Sequence, residues 1–573
     1  MPDRELSINR LSIALARFLS GRSKLAAADK PAFERLVQTV SEELNNGHNC
    51  MLVSDEDKAL LMASGLAAIA DGQNTALPLV VDRNRLYLYR YWFYENRLAE
   101  RIRNMLGESR PVNGLNDLLD IYFGRQNEQI DWQREAARTA VSRSFTIITG
   151  GPGTGKTTTV VKILALLQTV AAHPLQIALA GPTGKAAMRL KESISFYKSR
   201  LPCSEEIKQR IPESVTTLHR LLGAKPLSPY FRYHAEHPLV YDVIVVDEAS
   251  MIDLALMSKL LDALKPSARL ILLGDKDQLA SVESGAVLAD LTQALPEHTV
   301  ELKLTHRFDE NIKKLASLVN LQLDEEAWRL VQAGNEAVSL LAGDPVKYIA
   351  DRQSDYLRLI AAGAPFEEVS QARARFQVLC ANREGRLGVT DVNDRVEQLL
   401  SRKRSIRLTG SWYSGRPVII TQNNPALHLY NGDTGICMAD KDQGGKLMVF
   451  FQSADGAVRK YLPSRITHCQ TVFAMTIHKS QGSEFEEVLI VLPAEINPVL
   501  TKELVYTAIT RAKKTVKVLS GESVFRTAVK QRVNRITGLI DALSAGDRHH
   551  GGTALSGSSG RETSTKPRVF PEA

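Results

Sequence analysis

An apolar run, Phe145-Thr146-Ile147-Ile148, leads into Gly150-Gly151-Pro152-Gly153-Thr154-Gly155-Lys156-Thr157, and helix-forming residues follow from Thr158 to Gln168. The eight residues fit the pattern G-x-x-x-x-G-K-[ST]. A buried strand, a glycine loop and a helix start, in that order, commit this part of the chain to a parallel α/β sheet with its chemistry at the strand ends. The glycines let backbone N–H groups turn inward and meet phosphate oxygens with no Cβ in the way. The helix N-terminus adds partial positive charge at the same place. Lys156 supplies a full charge to the β- and γ-phosphates of a nucleotide such as ATP, and Thr157 offers a hydroxyl to Mg²⁺. Gly150 through Thr158 then form the nucleotide cradle.

A phosphate loop needs carboxylates to hold the metal and position water. Val243-Ile244-Val245-Val246-Asp247-Glu248 supplies them at the end of an apolar strand. Asp247 is expected to hold Mg²⁺, and Glu248 to orient and activate the attacking water. A second apolar run, Ile271-Leu272-Leu273, ends in Gly274-Asp275-Lys276-Asp277-Gln278, which places Gln278 to sense the γ-phosphate. Gln133, in Ile130-Asp131-Trp132-Gln133, has an amide able to pair with both edges of adenine. Two arginines complete the set: Arg307 in Leu304-Thr305-His306-Arg307-Phe308, and Arg511 in Tyr506-Thr507-Ala508-Ile509-Thr510-Arg511. Arginine stays charged and grips phosphate with two donors. Arg511 lies far from the loop in sequence, so a nucleotide touched by it is held from two sides.

Strand-like and helical runs alternate from 126 to about 345, then again from 346, and imply two α/β domains. A Gly-rich stretch with short β-like pieces, 408–466, interrupts the second, which resumes over 467–545. Residues 1–125 carry helical patterns without a chemical motif, and read either as a domain with its own core or as a docking module. Residues 546–573, with Ser556-Gly557-Ser558-Ser559-Gly560, have too little to bury and are expected to be disordered. The 573 residues, 44% hydrophobic and 24% charged, describe an ordinary globular chain of about three or four domains. No apolar run approaches a membrane span. The N-terminus lacks a signal-peptide layout, and five scattered cysteines fit a reducing cytoplasm. A net charge of +8 permits a polyanionic partner without requiring one.

Taken in order, these segments resemble the superfamily 1 helicases. Gln133, the phosphate loop, Asp247-Glu248, Gln278, Arg307 and Arg511 match that superfamily's ATP-site motifs, and the resemblance adds Glu484 to the nucleotide contacts. Gly181-Pro182-Thr183-Gly184-Lys185, Thr217-Leu218-His219-Arg220 and Met475-Thr476-Ile477-His478-Lys479-Ser480-Gln481-Gly482-Ser483-Glu484-Phe485 match its DNA-contacting motifs. Thr183, Lys185, His219, Thr476 and His478 are the expected strand contacts: hydroxyls and charge for phosphates, imidazoles for phosphate, base stacking or coupling to the ATP site. The wording of Val246-Asp247-Glu248-Ala249-Ser250-Met251-Ile252-Asp253, of Glu503–Ala512 and of Asn431-Gly432-Asp433-Thr434-Gly435-Ile436 is similar to the RecD family, alpha subunits of the RecBCD helicase–nuclease (exodeoxyribonuclease V).

That resemblance implies two RecA-like motor domains, a helical N-terminal docking domain and an SH3-like β insertion. It also implies 5′→3′ movement on single-stranded DNA, action at double-stranded DNA ends in recombinational repair, and a heterotrimer with RecB-like and RecC-like subunits. Two alternatives stay open: a stand-alone RecD2-type helicase, and a structural subunit whose ATPase only switches assembly. The first 125 residues show no obvious paired helix-hairpin-helix glycine motifs of the RecD2 kind. Lys225 to Pro238, with Tyr230, Phe231 and Tyr233, is either a strand-splitting hairpin or an ordinary surface loop. Glu301-Leu302-Lys303 imitates the end of a metal-nuclease triad but runs straight into the Arg307 segment, so no nuclease site is expected.

Overall fold

A computed structural model describes residues 2–70, 77–107, 111–125, 130–225, 228–303, 309–452 and 456–544. Arg307 and the tail beyond 544, both singled out from the sequence, lie outside the described residues. Among the described residues, no helix is long and apolar enough to cross a membrane.

Two all-parallel sheets organise the molecule. The first, of six strands, runs in the order Thr299–Glu301, Phe145–Thr149, Arg269–Gly274, Val243–Val246, Ile177–Gly181, Val215–Thr217. Its central strands, such as Val243–Val246 and Arg269–Gly274, are buried along their whole length, which is why they read as continuous apolar runs. Helices cover both faces. The helix after the phosphate loop, Lys156–Val170, buries Val160, Ile163, Leu164 and Leu167 against Ile148, Leu179 and Ile271. The second sheet runs Val338–Leu340, Ala512–Leu519, Phe485–Val491, Phe376–Cys380, Ala474–Thr476.

The seam between these halves differs from the expected 345. Helices Glu310–Asn320 and Asp324–Ala333 bury Ile312, Leu315, Val319 and Val331 in one core with Val488 and Val516 of the second sheet. The strand Val338–Leu340 edges that sheet, so the second half already begins just past the first sheet's last strand. At the other end, helices Tyr89–Leu106 and Leu115–Phe123 leave the N-terminal unit. Leu98 and Ile102 pack with Met257 and Leu260, and Leu119 packs with Ala137 and Leu164, so both helices belong to the first motor core.

The N-terminal unit is not helical alone. Its helices, Lys30–Asn45 among them, share a core with a four-stranded sheet in the order Met51–Leu52, Arg85–Leu88, Leu79–Asp82, Ala67–Ile69. Phe33, Val37, Leu61, Leu79 and Leu86 fill that core. The strands are two to four residues long, too short for alternation to announce them. Within the second half, between Phe376–Cys380 and Ala474–Thr476, lies a five-stranded antiparallel sheet. Its order is Val458–Tyr461, Lys446–Gln452, Thr434–Asp440, Pro417–Ile420, Cys469–Thr471, around Val418, Ile420, Cys437, Val449 and Phe451.

The C-terminal segment departs from its expected place in the second half. After helix Glu522–Lys530 the chain runs back as a strap, and helix Leu539–Ser544 buries Leu539 and Leu543 beside Leu98 and Leu291. Asp541 pairs with Arg83 at 3.2 Å and with Arg85 at 2.5 Å, which fastens the strap to the N-terminal unit.

Candidate active site

The halves meet in a cleft of about 490 Å³, lined by Pro152, Gly153, Gly155, Lys156, Thr157 and Thr158 on one wall. Three strands of the first sheet end here: Phe145–Thr149 gives the loop, Val243–Val246 gives Asp247 and Glu248, and Arg269–Gly274 gives Asp275 and Gln278. Gly155 has φ +83°, and a Cβ there would lie 2.4 Å from Gln133 Nε2. Gln133 Nε2 donates to Thr154 O at 3.2 Å, so this amide braces the loop from outside the cleft lining. Lys156 Nζ donates to Gly150 O at 2.5 Å and Gly151 O at 3.0 Å, which holds the ammonium over the loop.

Glu248 sits in the left-handed region at φ 53°, a strained setting for a side-chain-bearing residue. Its N–H donates to Asp247 Oδ1 at 2.9 Å, and both residues line the cleft from one strand end. Burial, with the neighbouring Glu248 charge, pushes the Asp247 carboxyl up, and Lys156 pulls it back. Burial likewise pushes Asp275 up to about 6 against the pull of Lys156. Asp275 accepts from Gln278 Nε2 at 2.9 Å and from Tyr506 Oη at 3.1 Å, the latter reaching across from the second half.

The second half supplies the far wall. Arg511, only 2% exposed, follows the end of helix Lys502–Ile509. Its Nε donates to Thr507 O at 3.1 Å and Nη1 to Ser483 O at 3.3 Å, while buried Nη2 has no hydrogen-bond partner among the described residues. A buried guanidinium N–H left over at a phosphate cleft fits a nucleotide contact. Arg189 Nη2 pairs with Glu484 Oε1 at 2.6 Å, bridging first half to second, and Lys513 approaches Glu484 Oε2 at 3.5 Å.

The cleft thus unites Lys156, Thr157, Asp247, Glu248, Gln278, Glu484 and Arg511. Sequence reasoning missed Arg189, Tyr506 and Lys513, and placed Asp275 in a motif without giving it a role. A signal for Arg189 existed: Ala186, Arg189, Ser193 and Tyr197 recur at helical spacing on Gly184–Lys198, and all line the cleft. Hydroxyl and carboxylate oxygens of Thr157 and Asp247 suit a hard cation such as Mg²⁺.

The residues expected to contact a strand lie on both halves, Thr183, Lys185 and His219 on the first and Thr476 and His478 on the second. Thr183 caps helix Gly184–Lys198, accepting from Ala186 N at 3.2 Å, and Thr476 Oγ1 accepts from Lys479 N at 3.3 Å. Lys185 reaches a small pocket of about 100 Å³ with Met475, Thr434 and Arg373, where burial pushes its ammonium down to about 8. His219 is exposed, edge-on to Phe231 at 5.8 Å. Burial and Arg535 push the His478 imidazole down. Arg220 stacks on Tyr430 at 4.5 Å and donates to its hydroxyl, which ties the first half to the antiparallel insertion. In the hairpin-like segment, Ala224 bridges Phe231 and His234 bridges His237, with Tyr230 72% exposed. Glu301 pairs with Lys276 at 2.8 Å, and Lys303 sits 4.4 Å over Trp132, so both serve the first sheet's edge.

Two parallel-sheet halves, one carrying a phosphate loop and paired carboxylates and the other lending a buried arginine, define a superfamily 1 helicase motor, a class that uses a nucleotide and a divalent metal. Residues 133–284 match the family model described as an AAA domain, and 471–519 the UvrD-like helicase C-terminal domain. The chain is 42% identical over 491 residues to the RecBCD enzyme subunit RecD of Mycolicibacterium smegmatis, across 83% of this chain and 86% of that one. It is 36% identical over 548 residues to that of Haemophilus influenzae, across 84% of each. It is also 31% identical to the ATP-dependent RecD2 DNA helicase of Deinococcus radiodurans, over 86% of this chain but 61% of that one. The chain belongs to the RecD family.

Proposed function

We propose that this chain is an ATP-dependent 5′→3′ single-stranded-DNA translocase and DNA helicase subunit, working in the cytoplasm with RecB-like and RecC-like subunits on double-stranded DNA ends. The observation that carries the reading is the shared cleft: Lys156, Glu248 and Gln278 on one half face Arg511 on the other. Glu248 orients a water and takes its proton as the oxygen attacks the γ-phosphorus of ATP. Lys156 and Arg511 take up charge on the phosphoryl oxygens as the bond to the ADP leaving oxygen breaks. Thr157 and Asp247 would hold Mg²⁺, which when bound neutralises phosphate charge. Gln278 lines the cleft and donates to Asp275, which also accepts from Tyr506 of the second half. This chain of contacts links the phosphate site to the far wall that hydrolysis would release.

Thr183, Lys185, His219, Thr476 and His478 are assigned to the DNA path, the antiparallel sheet to an SH3-like insertion, and the N-terminal unit to partner docking. Arg307 is assigned a second phosphate contact on the superfamily pattern alone. Stronger identity and fuller mutual coverage favour the complex-bound subunit over the stand-alone RecD2 form. Strand displacement on 5′-tailed and 3′-tailed duplexes, with the purified chain and with the co-expressed complex, tests the proposal. Unwinding from the 5′ tail only is expected. Unwinding of neither, or of the 3′ tail alone, would sink it.

A further inference from the structure

The loop that follows Gln278 is gripped at both ends. At one end Leu279 N donates to Thr507 Oγ1 at 2.9 Å, and Gln481 Nε2 donates to Leu279 O at 3.0 Å. Both partners belong to the second half, and Thr507 is the residue whose carbonyl holds Arg511. At the other end the loop is held by the C-terminal strap and the N-terminal unit. Arg535 Nη1 donates to Glu283 O at 3.0 Å and Gly285 O at 2.7 Å, and Nη2 donates to Ser281 O at 2.7 Å. Ser284 Oγ donates to Leu44 O at 2.9 Å, and Gly285 N donates to Gly47 O at 2.9 Å.

Arg535 packs so close to the N-terminal unit that a Cβ on Gly47 would meet its guanidinium at 2.9 Å, and Gly47 itself has φ +92°. The next residue continues the tie: Ile536 N donates to His48 Nδ1 at 2.9 Å, and Asn49 N donates to Ile536 O at 2.9 Å. Beyond it, buried Glu95 accepts from Asn49, Tyr87, Thr537 and Gly538 N at 2.9–3.1 Å. On the strand side, Gln481, in the same segment as the candidate contacts Thr476 and His478, holds Leu279 O at the loop's other end. A single guanidinium therefore fixes the loop after the nucleotide sensor to the unit assigned to partner docking, while the segment that carries the candidate DNA contacts grips the loop's other end.

We infer that Arg535 is a positioning residue that fixes the 281–285 loop against the N-terminal unit and so couples strand binding to ATP turnover; this rests on the motor reading above. The rigid grip at 281–285 lets a shift at Leu279, set by cleft closure, be felt as force rather than absorbed by a slack loop. Full-length wild type, Arg535→Gln, Arg535→Lys and Ser284→Ala are assayed for ATP turnover with and without saturating oligo(dT), with Tm measured alongside. Arg535→Gln is expected to lose about tenfold of the oligo(dT) stimulation, within the usual range of coupling between sites. Its basal rate and KM for ATP stay within about twofold of wild type, since it touches no phosphate. Arg535→Lys recovers part of the stimulation, and Ser284→Ala loses about threefold, the worth of one hydrogen bond.

Full stimulation in Arg535→Gln overturns the inference, as does an equal loss of basal and stimulated rates with a lowered Tm. Where Arg535→Gln does not fold, Ser284→Ala decides, and unchanged stimulation there overturns it. A wild type that oligo(dT) fails to stimulate overturns the motor reading and this inference together, an outcome separate from the others.

Discussion

The two motor halves share a sheet type and meet the cleft with opposite ends of it. The first half presents the carboxyl ends of Phe145–Thr149, Val243–Val246 and Arg269–Gly274. The second presents the amino ends of Phe485–Val491 and Ala512–Leu519, with Glu484 and Arg511 immediately before them. A carboxyl end leads through a loop into a helix N-terminus, where backbone donors and the helix dipole gather for phosphate. An amino end offers no such convergence. The second half therefore acts through single side chains, and the C-terminus of helix Lys502–Ile509 favours the arginine placed there. One half is built to hold the fuel, the other to respond to it.

The comparison breaks if either half proves dispensable. Lys156→Gln should abolish ATP turnover, a loss of at least about 10³-fold, with circular dichroism and Tm unchanged. Arg511→Lys should follow with a loss of about 10³-fold in kcat and little change in nucleotide affinity, measured with a fluorescent ATP analogue. A comparable loss of affinity would move Arg511 into the holding half. Arg189→Gln removes the bridge from the first half to Glu484 and should cost about tenfold in kcat/KM. A double-mutant cycle with Glu484→Gln should show that the two losses do not add.

The smallest effect separates charge with a task from charge that is merely buried. Asp290, on helix Val287–Ala294, is pushed up to about 7 by burial and by Glu95, eased by Thr537 and Arg535. Its folded value lies above its unfolded one, so its contribution to stability is complete below about pH 4 and fades as pH rises through 7. Asp290→Asn should raise Tm by a few degrees at pH 8, by less than half as much at pH 5, and keep the basal ATPase. A Tm gap that does not grow with pH would mean that Asp290 is not the buried acid described.

What was legible in the sequence follows the same division. Lys156, Asp247 and Gln278 each lie within a few residues after an apolar strand, so local pattern alone located them. The antiparallel insertion announced itself through short apolar pieces between glycines. Arg189 stayed hidden because its partner Glu484 lies 295 residues away and only the closed cleft joins them. Tyr506 and Asp275 stood inside quoted motifs but had no visible reason to touch. The seam past Glu301 was misplaced because helices Glu310–Asn320 and Asp324–Ala333 are amphipathic, and amphipathicity does not say which core a helix serves.

The strap has a kinematic consequence. The second half opens at helix Glu310–Asn320, after the first sheet's edge strand Thr299–Glu301, and the chain returns over 531–538 to fasten beside the first half. A body attached at one point can tumble; attached at two, it can only swing about the line through them. Tethered at both ends, the second half is confined to movements that both attachments allow. The same strap that closes the second half also carries Arg535 and Ile536 onto the N-terminal unit, so whatever docks there is tied to both halves.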